Sequence, residues 1–435
     1  MGGLNMSTKH LKSWVSALTG MTLLMLTMSA QAFEAIKMGD WDVSFSGNIN
    51  GFLTEVDCDT NANGVVAGGL ACGSLVGSDY DQSNIRTGLL PSWLGLNAKT
   101  EVGGIKTEVN IGFQPGIDSN TGISGTSIDG GLGLNSANFR QVNLKFGADW
   151  GTITIGRDLG VFGSDAILSD MTLLGVGTVS DLTSGGGNTS LGRIGLGYVY
   201  ADWKGQIQYA SRDFSGFSFN VALVDPWGLV NLSGHSLDAS SFSQKGDTYG
   251  FEGKAAYSWG GEGSATTGKA WAGFISQSID STSFASQDAT GAEFGAKVEF
   301  GGLELFGYFY SGDGIGTTDF LFDAVDLSGA TRDSDGFIAQ ATYKFGSKGT
   351  KVGVSVGESN LDLGPGDLAV GGICEVLASA SCTLVETNES VVFGVYHPLT
   401  PALNLVFEYT ASESTAHNGN SAEETVIAIG AILFY

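Results

Sequence analysis

Apolar and polar residues alternate along almost the whole chain after residue 32, in segments of about ten residues. In one such segment Ile105, Val109 and Phe113 alternate with Lys106 and Glu108. Because successive side chains of a strand point to opposite sides of a sheet, a period of two predicts strands with one apolar and one polar face. The same pattern occurs within residues 41–53, 217–223, 292–300 and 403–409.

The connections between these segments alternate between short and long. Seven short connections are predicted near residues 101–104, 147–151, 213–216, 260–268, 301–302, 346–350 and 397–401. Eight long polar connections are predicted near residues 57–87, 115–137, 158–192, 226–247, 279–290, 312–334, 359–388 and 412–422. Fifteen connections join sixteen strands and leave both chain ends at the rim of short turns.

This layout predicts an all-β fold, a 16-stranded antiparallel transmembrane β-barrel with short periplasmic turns and long extracellular loops. A soluble β-sandwich would have turns of similar length at both ends. A closed barrel also satisfies every backbone hydrogen bond in lipid, because it leaves no strand edge unpaired.

Composition excludes several other classes of protein. Hydrophobic residues make up 42% of the 435 residues and charged residues only 15%, which is too apolar for a disordered acidic chain. The formal net charge is −25, so nucleic acid is not an expected partner, because an acidic surface repels phosphates.

The first 32 residues have the pattern of a signal peptide. Lys9 and Lys12 precede an apolar stretch, and Ala30-Gln31-Ala32 is a small-x-small cleavage signal. We expect residues 1–32 to be removed and residues 33–435 to form a single transmembrane barrel domain. The mature chain then has 18 basic and 45 acidic residues and a net charge of −27. Met6 is an alternative start to Met1.

The four cysteines lie as two close pairs in polar stretches, Cys58 with Cys72 and Cys374 with Cys382. In an oxidising compartment we expect two local disulfides, although four cysteines permit three pairings. The spacing matches neither a CxxC redox motif nor a zinc site.

Signals for an enzyme are poor. The mature chain contains only His235, His397 and His417, and these fall in different connections. A P-loop-like stretch over residues 263–269 is followed by Ala270 in place of the required Ser or Thr. We therefore expect no catalytic residues, no metal and no cofactor.

The last strand ends the chain on an aromatic residue. Ile427, Ile429, Leu433 and Tyr435 lie on one face of it. This resembles the C-terminal signature by which barrel proteins are recognised for insertion into the outer membrane. The resemblance implies that the outer-membrane assembly machinery is a partner.

The third long connection follows directly from a strand, through the pair Gly156-Arg157, into residues 158–171. This segment, together with Tyr198, Tyr200 and Trp203 on its return, resembles the general porins of Gram-negative bacteria. In that family the fifth strand leads through a Gly-Arg pair into a loop that folds inward and narrows the pore. The resemblance implies a homotrimer in the outer membrane, in contact with outer-membrane lipid and lipopolysaccharide, with residues 115–137 reaching toward a neighbouring copy.

A sixteen-stranded barrel leaves a wide aqueous channel, so an inward loop would set its size limit. We predict that the carboxylates of the third loop face basic residues on the wall. The predicted constriction residues are Asp158, Asp165 and Asp170, and the wall candidates are Arg86, Arg140, Arg157 and Arg193. Arg140 and Arg157 share the register of outward-facing residues and would need a β-bulge to face inward. Any of the four could instead bind lipid headgroups or anchor a loop.

The sequence therefore predicts an outer-membrane porin for passive diffusion of ions and small hydrophilic solutes. A weak cation preference is expected from the net charge and the loop aspartates. One alternative is a substrate-selective channel with 16 or 18 strands, since a long loop could contain two further short strands. A structural barrel or an outer-membrane enzyme is the more distant alternative.

Overall fold

The computed structural model describes residues 35–60, 65–72, 79–117, 137–179, 189–231, 233–234, 248–261, 263–279, 285–369, 372, 374 and 382–435. The predicted signal peptide and most of the second long connection, residues 118–136, lie outside the described residues. The strands are β1 (Ile36–Met38), β2 (Trp41–Thr60), β3 (Tyr80–Arg86), β4 (Trp93–Val102), β5 (Ile105–Pro115), β6 (Ala137–Ala148), β7 (Gly151–Leu159), β8 (Trp203–Ser211), β9 (Phe217–Val224), β10 (Gly250–Trp259), β11 (Thr266–Ile279), β12 (Gln287–Phe300), β13 (Leu303–Asp313), β14 (Asp333–Phe345), β15 (Thr350–Leu361), β16 (Val385–Pro398), β17 (Leu403–Ala416) and β18 (Ser421–Phe434).

The described helices are a six-residue helix α1 (Ser164–Ser169) and a single turn of 3-10 helix (Met171–Leu174). Both lie in the third connection. No helix in the described part of the chain is long and apolar enough to cross a membrane.

The eighteen strands occupy sixteen positions in one closed antiparallel sheet. β3 and β4 both pair with the same side of β2, Arg86 opposite Phe52 and Trp93 opposite Asn48, so together they form one interrupted strand. β18 pairs with the other side of β2 and closes the barrel. The predicted sixteen-stranded barrel is confirmed, and the two additional strands are pieces of existing positions.

The sixteenth position contains both ends of the described chain. Tyr435 exchanges two backbone hydrogen bonds with Gly47, of 2.9 and 3.0 Å. Further along the same side of β2, Ile36 of β1 lies opposite Val43. β4 pairs with the other side of β2 along this stretch, so β1 must lie on the side of β18. β1 therefore extends the strand position of β18 past Tyr435.

The seven predicted short connections all lie between the expected strands. The eighth long connection is shorter than predicted, because β17 runs to Ala416 and β18 begins at Ser421. β3 likewise begins at Tyr80, inside the predicted first connection. At these strand ends polar residues occupy both faces of the sheet. The alternation of apolar and polar residues, on which the prediction depends, is therefore absent there.

Apolar side chains cover the outward face of the strands. Leu53, Phe294 and Ile429 are each more than half exposed, and their strand neighbours face the interior. A continuous exposed apolar surface of this extent is typical of a wall that contacts lipid.

The interior at the rim of long loops is filled by the loops themselves. The third connection folds inward and is bonded to the sixth, where the Tyr200 N–H donates to the Thr318 carbonyl over 3.0 Å. The fourth connection joins the same layer through the Val230 N–H and the Leu321 carbonyl, at 3.1 Å. A buried apolar cluster that includes Leu70 and Phe320 seals these loops together. The inward-folded third loop is confirmed, and the packing of other loops against it is an additional feature.

Candidate functional site

Carboxylates on the inward face of the barrel wall hold the first part of the third loop. Glu252 on β10 accepts backbone N–H groups from Val161, at 2.5 Å, and from Phe162, at 3.0 Å. Glu293 on β12 accepts the N–H of Gly163 at 2.9 Å. Gly163 has a φ of +74°, and an added Cβ would lie 2.5 Å from the Val199 carbonyl oxygen, so a glycine is required where the loop meets the wall.

Three more wall residues hold the rest of the loop. Gln340 accepts the N–H of Met171 at 2.8 Å and donates to the carbonyl of Ser169 at 2.9 Å. Glu408 accepts the N–H groups of Val176 and Gly177, at 2.7 and 2.8 Å, and Glu424 accepts that of Val179 at 3.2 Å. Because these hydrogen bonds hold the loop at successive points from Met171 to Val179, they fix its path across the barrel.

Asp165 lies in the first turn of α1 and contacts two wall lysines. One carboxylate oxygen is 2.7 Å from Lys254 Nζ and the other contacts Lys269 Nζ. Burial alone would raise the pKa of Asp165, but the two ammonium groups outweigh it and hold the pKa well below the ordinary value. Asp165 is therefore a charged attachment point between the loop and the wall.

Asp170 and Arg193 lie in the packed core of the loop layer. Asp170 accepts the N–H and hydroxyl of Thr172, at 2.9 and 2.8 Å, and the hydroxyl of Tyr198 at 3.2 Å. Burial raises the pKa of Asp170, and Arg193 offsets only part of that effect. Arg193 is fully buried and donates to three backbone carbonyls, and burial lowers its pKa to about 10. Neither side chain faces an open channel.

Asp158 is the predicted constriction residue that lines a cavity. The cavity has a volume of about 670 Å³ and extends from the short turns up to the third loop. Lys145 on β6 is 2.7 Å from the Asp158 carboxylate, and Gln141 lies beside the pair. Asp158 and Lys145 therefore present opposite charges at the inner end of the cavity.

The predicted wall arginines occupy different environments. Arg86 faces inward and donates to the Thr189 carbonyl of the returning third loop at 3.2 Å. Arg140 is the extra residue of a β-bulge, since Gly112 pairs with Gln141 while Phe113 pairs with Phe139, and the bulge turns Arg140 into the interior.

Arg157 has no such bulge in its pairing. It lies between Val142 and Gly205, both on the outward face, so its backbone position is outward. With Arg193 buried in the loop core, Arg86 and Arg140 are the two predicted arginines whose backbone positions face inward. The Arg157 side chain is half-buried and close enough to Asp202 to act on its carboxylate.

The basic residues nearest the loop carboxylates are lysines that the sequence analysis did not single out: Lys145, Lys254 and Lys269. The alternation contained the signal, because Lys145 has the parity of inward-facing Asn143 and Lys254 that of inward-facing Glu252. The predicted wall residues are all arginines, whereas the side chains that contact the loop carboxylates are these lysines.

Both predicted disulfides are present, Cys58 with Cys72 and Cys374 with Cys382. The first attaches the inward part of the first loop to β2, and the Cys72 N–H also donates to Glu424 at 3.3 Å. Within the described ranges no group of three His, Cys, Asp or Glu side chains could hold a metal ion.

Comparison with known proteins agrees with this architecture. A family model described as Gram-negative porin matches residues 17–417. No curated protein matches the sequence. The outer-membrane channel DcaP of Acinetobacter baumannii is similar in structure, with a TM-score of 0.62, 16% sequence identity, and coverage of 93% of this chain and 100% of that one.

Two further solved structures are similar over nearly the whole chain. The anion-selective porin from Comamonas acidovorans has a TM-score of 0.57 and 14% identity, covering 91% of this chain and 100% of its own. OmpF of Salmonella typhi, in a complex with daunomycin, has a TM-score of 0.52 and 13% identity, covering 91% and 99%. At these identities the likeness concerns the fold.

Proposed function

Because the chain belongs to the Gram-negative porin family, it forms an outer-membrane channel for passive diffusion, and we propose that its third loop sets the size limit of that channel. The observation that supports this most directly is the row of wall side chains that hold the loop across the barrel, from Glu252 to Glu424. A loop fixed at several points along its length narrows the barrel to a constant width.

The charge at the narrowing would come from Asp158 and Lys145, which line the cavity together. Asp165 and Asp170 would act on the channel indirectly, because their oxygens are engaged with wall lysines and with the loop itself. The arginines Arg86 and Arg140 would hold the returning loop and the wall bulge in place.

Loosening the loop tests this proposal. We expect Glu293→Ala combined with Glu408→Ala to release the loop at two points, and vesicles containing the variant to swell in larger neutral sugars than wild type admits. Glu299→Ala is the matched control, because Glu299 lies on the same strand as Glu293 and is exposed. An unchanged size limit in a folded double variant would contradict the proposed role of the loop.

We also propose a homotrimer, supported by the outward surface of β18, β2, β3 and β4. Exposed side chains in the middle of this arc are aliphatic, among them Leu53, Ile85 and Ile429. Aromatic residues line membrane interfaces in barrels, and they occupy the outward face of the strands on the opposite side, such as Phe274, Phe294 and Phe309. Apart from Phe45 near the short turns, the large exposed hydrophobic side chains of this arc are aliphatic, which fits contact with another copy better than contact with lipid. The second loop, predicted to reach the neighbour, lies mostly outside the described residues.

We propose that residues 1–32 are removed on export, that the apolar belt contacts outer-membrane lipid and lipopolysaccharide, that the assembly machinery recognises the strand ending at Tyr435, and that the protein has no enzymatic activity. In support of the last, His397 contacts the Thr350 hydroxyl and His417 a backbone carbonyl, both far from the third loop in the sequence. The cation preference expected from the net charge also stays a prediction. It depends on whether the acidic residues line the channel or face away from it.

A further inference from the structure

Every lysine in strands β2 to β18 lies on the inward face. The nine are Lys99, Lys106, Lys145, Lys204, Lys254, Lys269, Lys297, Lys344 and Lys351. In the alternation of side chains along the strands, they occupy the same face as buried wall residues such as Thr154, Trp271 and Gln340. Positive charge on these strands is therefore concentrated inside the barrel.

About half of the acidic residues on these strands face outward, where no lysine accompanies them. Outward-facing acids crowd the strand ends near the long loops: Glu55, Asp57, Asp59, Asp81, Asp288, Asp313, Asp333, Asp335, Glu358, Glu389, Glu413 and Glu423. Several lie directly opposite one another, as in Glu358 with Glu389 and Glu413 with Glu423. The barrel wall separates these carboxylates from a solute in the channel, and salt screens exposed charges beyond about 10 Å.

Four inward-facing acids are also unavailable to a solute. Glu252, Glu293, Glu408 and Glu424 are at most 3% exposed, and their oxygens accept backbone N–H groups of the loops. The net charge of the whole chain therefore says little about the charge that a permeating solute meets.

The two sides of the barrel below the third loop differ in charge. On the β2 to β6 side, directly opposed residues alternate in sign, in the order Asp42, Lys99, Glu108 and Lys145. On the other side lies a group that we name the lysine arc: Lys254, Lys269, Lys297, Lys344 and Lys351. Within it Lys269 is directly opposite Lys297, and Lys344 is directly opposite Lys351.

Directly opposed like charges destabilise a sheet, so the lysine arc needs negative partners. Two carboxylates lie within ion-pair distance of the arc: Asp165, which contacts Lys254 and Lys269, and Glu304, which is 3.8 Å from Lys297. No carboxylate of the described chain lies within ion-pair distance of Lys344 or Lys351, and Lys351 Nζ instead lies 4.6 Å from the centre of the Tyr396 ring. Within the described chain, three lysines of the arc are therefore ion-paired, and the two at the β14–β15 pair, Lys344 and Lys351, are not.

We propose that the lysine arc makes this channel prefer anions and that Lys344 and Lys351 form a transient binding site for small carboxylate anions. The inference rests on the proposed channel function and gives it a solute class. It is opposite in sign to the preference expected from the net charge, because ion selectivity follows the charged side chains that line a pore. Binding would consist of ion pairs only, with no bond made or broken, so an anion could leave as readily as it enters.

Reversal potentials in planar bilayers test the preference. In a potassium chloride gradient we expect wild type to favour chloride, and Lys344→Gln with Lys351→Gln to lower the chloride-to-potassium permeability ratio by about twofold or more. The matched control is Glu358→Gln with Glu389→Gln, which removes two charges from the outward face, one of them on the same strand as Lys351. We expect the control to leave the ratio unchanged.

Malonate tests the binding site itself. Millimolar malonate should reduce the chloride current of wild type and reduce that of the lysine variant much less. A wild-type preference for potassium, or equal reduction by malonate in both proteins, would overturn the proposal while leaving the channel function intact. A folded barrel without any conductance would instead contradict the channel function on which the proposal rests.

Discussion

Asp202 and Asp319 are two buried carboxyl groups that meet between the third and sixth loops. Oδ1 of each accepts the N–H of the following residue, Trp203 or Phe320, and Oδ2 of each has no N–H or O–H partner in the described part of the chain. Burial raises the pKa of both groups, and their mutual repulsion raises that of Asp319 further. Lys204 opposes the rise for both groups, and Arg140 and Arg157 oppose it at Asp202. Glu252 on β10 neutralises part of Lys204. The pair is therefore most stable when it holds a proton.

This pair predicts a pH-dependent stability with a definite sign. A carboxyl whose pKa is raised in the folded state contributes stability at low pH that is lost as the pH rises through the raised value. Asp319→Asn cannot ionise and can donate to Asp202, so we expect it to resist heat better than wild type at pH 8, with the advantage shrinking toward pH 5. The measurement is the temperature at which the folded band is lost on a gel.

Asp326 provides the control for that experiment. It lies in the same loop, but its oxygens accept the N–H groups of Ser328, Ala330 and Gly366. Asp326→Asn should lower heat resistance at every pH, because it removes an acceptor of satisfied hydrogen bonds. Identical pH profiles for wild type and Asp319→Asn would contradict the shared proton.

Single residues were the part of the site that the sequence predicted least well. Alternation assigns a face to each strand residue, so it could have identified Lys145 and Lys254. The bulge at Arg140 has no such signal, because it is defined by the partner strand, where Gly112 and Phe113 pair with residues two apart. The burial of Arg193 and Asp170 depends on loops that pack together from distant parts of the chain, and local periodicity contains no information about that packing.

Among the elements, the strands were predicted well and the loops poorly. A period of two is a local property that lipid on one side and water on the other impose on each strand separately. The interior loop layer, in contrast, depends on contacts such as that between Tyr200 and Thr318, more than a hundred residues apart. The first loop joins this layer, with the Leu70 N–H donating to both Asn388 and Ser414 at 2.9 Å.

The disulfide at Cys58 should stabilise that first loop. It closes a segment with a sequence separation of 14 residues. We expect Cys58→Ser with Cys72→Ser to lower the free energy of unfolding in detergent by about 3 kcal/mol, because the unfolded chain gains freedom. Denaturant titration measures the change, and limited proteolysis should cut the first loop of the variant sooner.

Cys374→Ser with Cys382→Ser is the comparison for this effect. Its loop has a sequence separation of 8 residues, so the loss should be slightly smaller. Equal protease resistance in wild type and the Cys58 variant would show that hydrogen bonds alone hold the first loop inside the barrel.

For the whole molecule, the aliphatic arc predicts where copies of the chain meet. Leu53→Trp and Ile85→Trp place bulky side chains on β2 and β3, which a lipid-facing wall tolerates and a packed interface does not. We expect a lower ratio of trimer to monomer in native gels for these variants.

Ala292→Trp is the control, on the outward face of β12 across the barrel from the arc. It should leave the ratio unchanged. A trimer fraction that falls equally in all three variants would indicate a general effect on folding, and an undiminished fraction in the Leu53 and Ile85 variants would place the interface elsewhere.

In the sixteenth strand position the two ends of the described chain lie one after the other beside β2. Tyr435 stops opposite Gly47, and Ile36 resumes opposite Val43 in the same direction, with three positions of β2 between them. A short peptide that linked Tyr435 to Ile36 would make one continuous strand of this position. The closed sheet therefore does not require the chain to begin and end there. The order of strands along the gene is then one of several equivalent orders, and a circularly permuted chain opened at a different short turn would encode the same barrel.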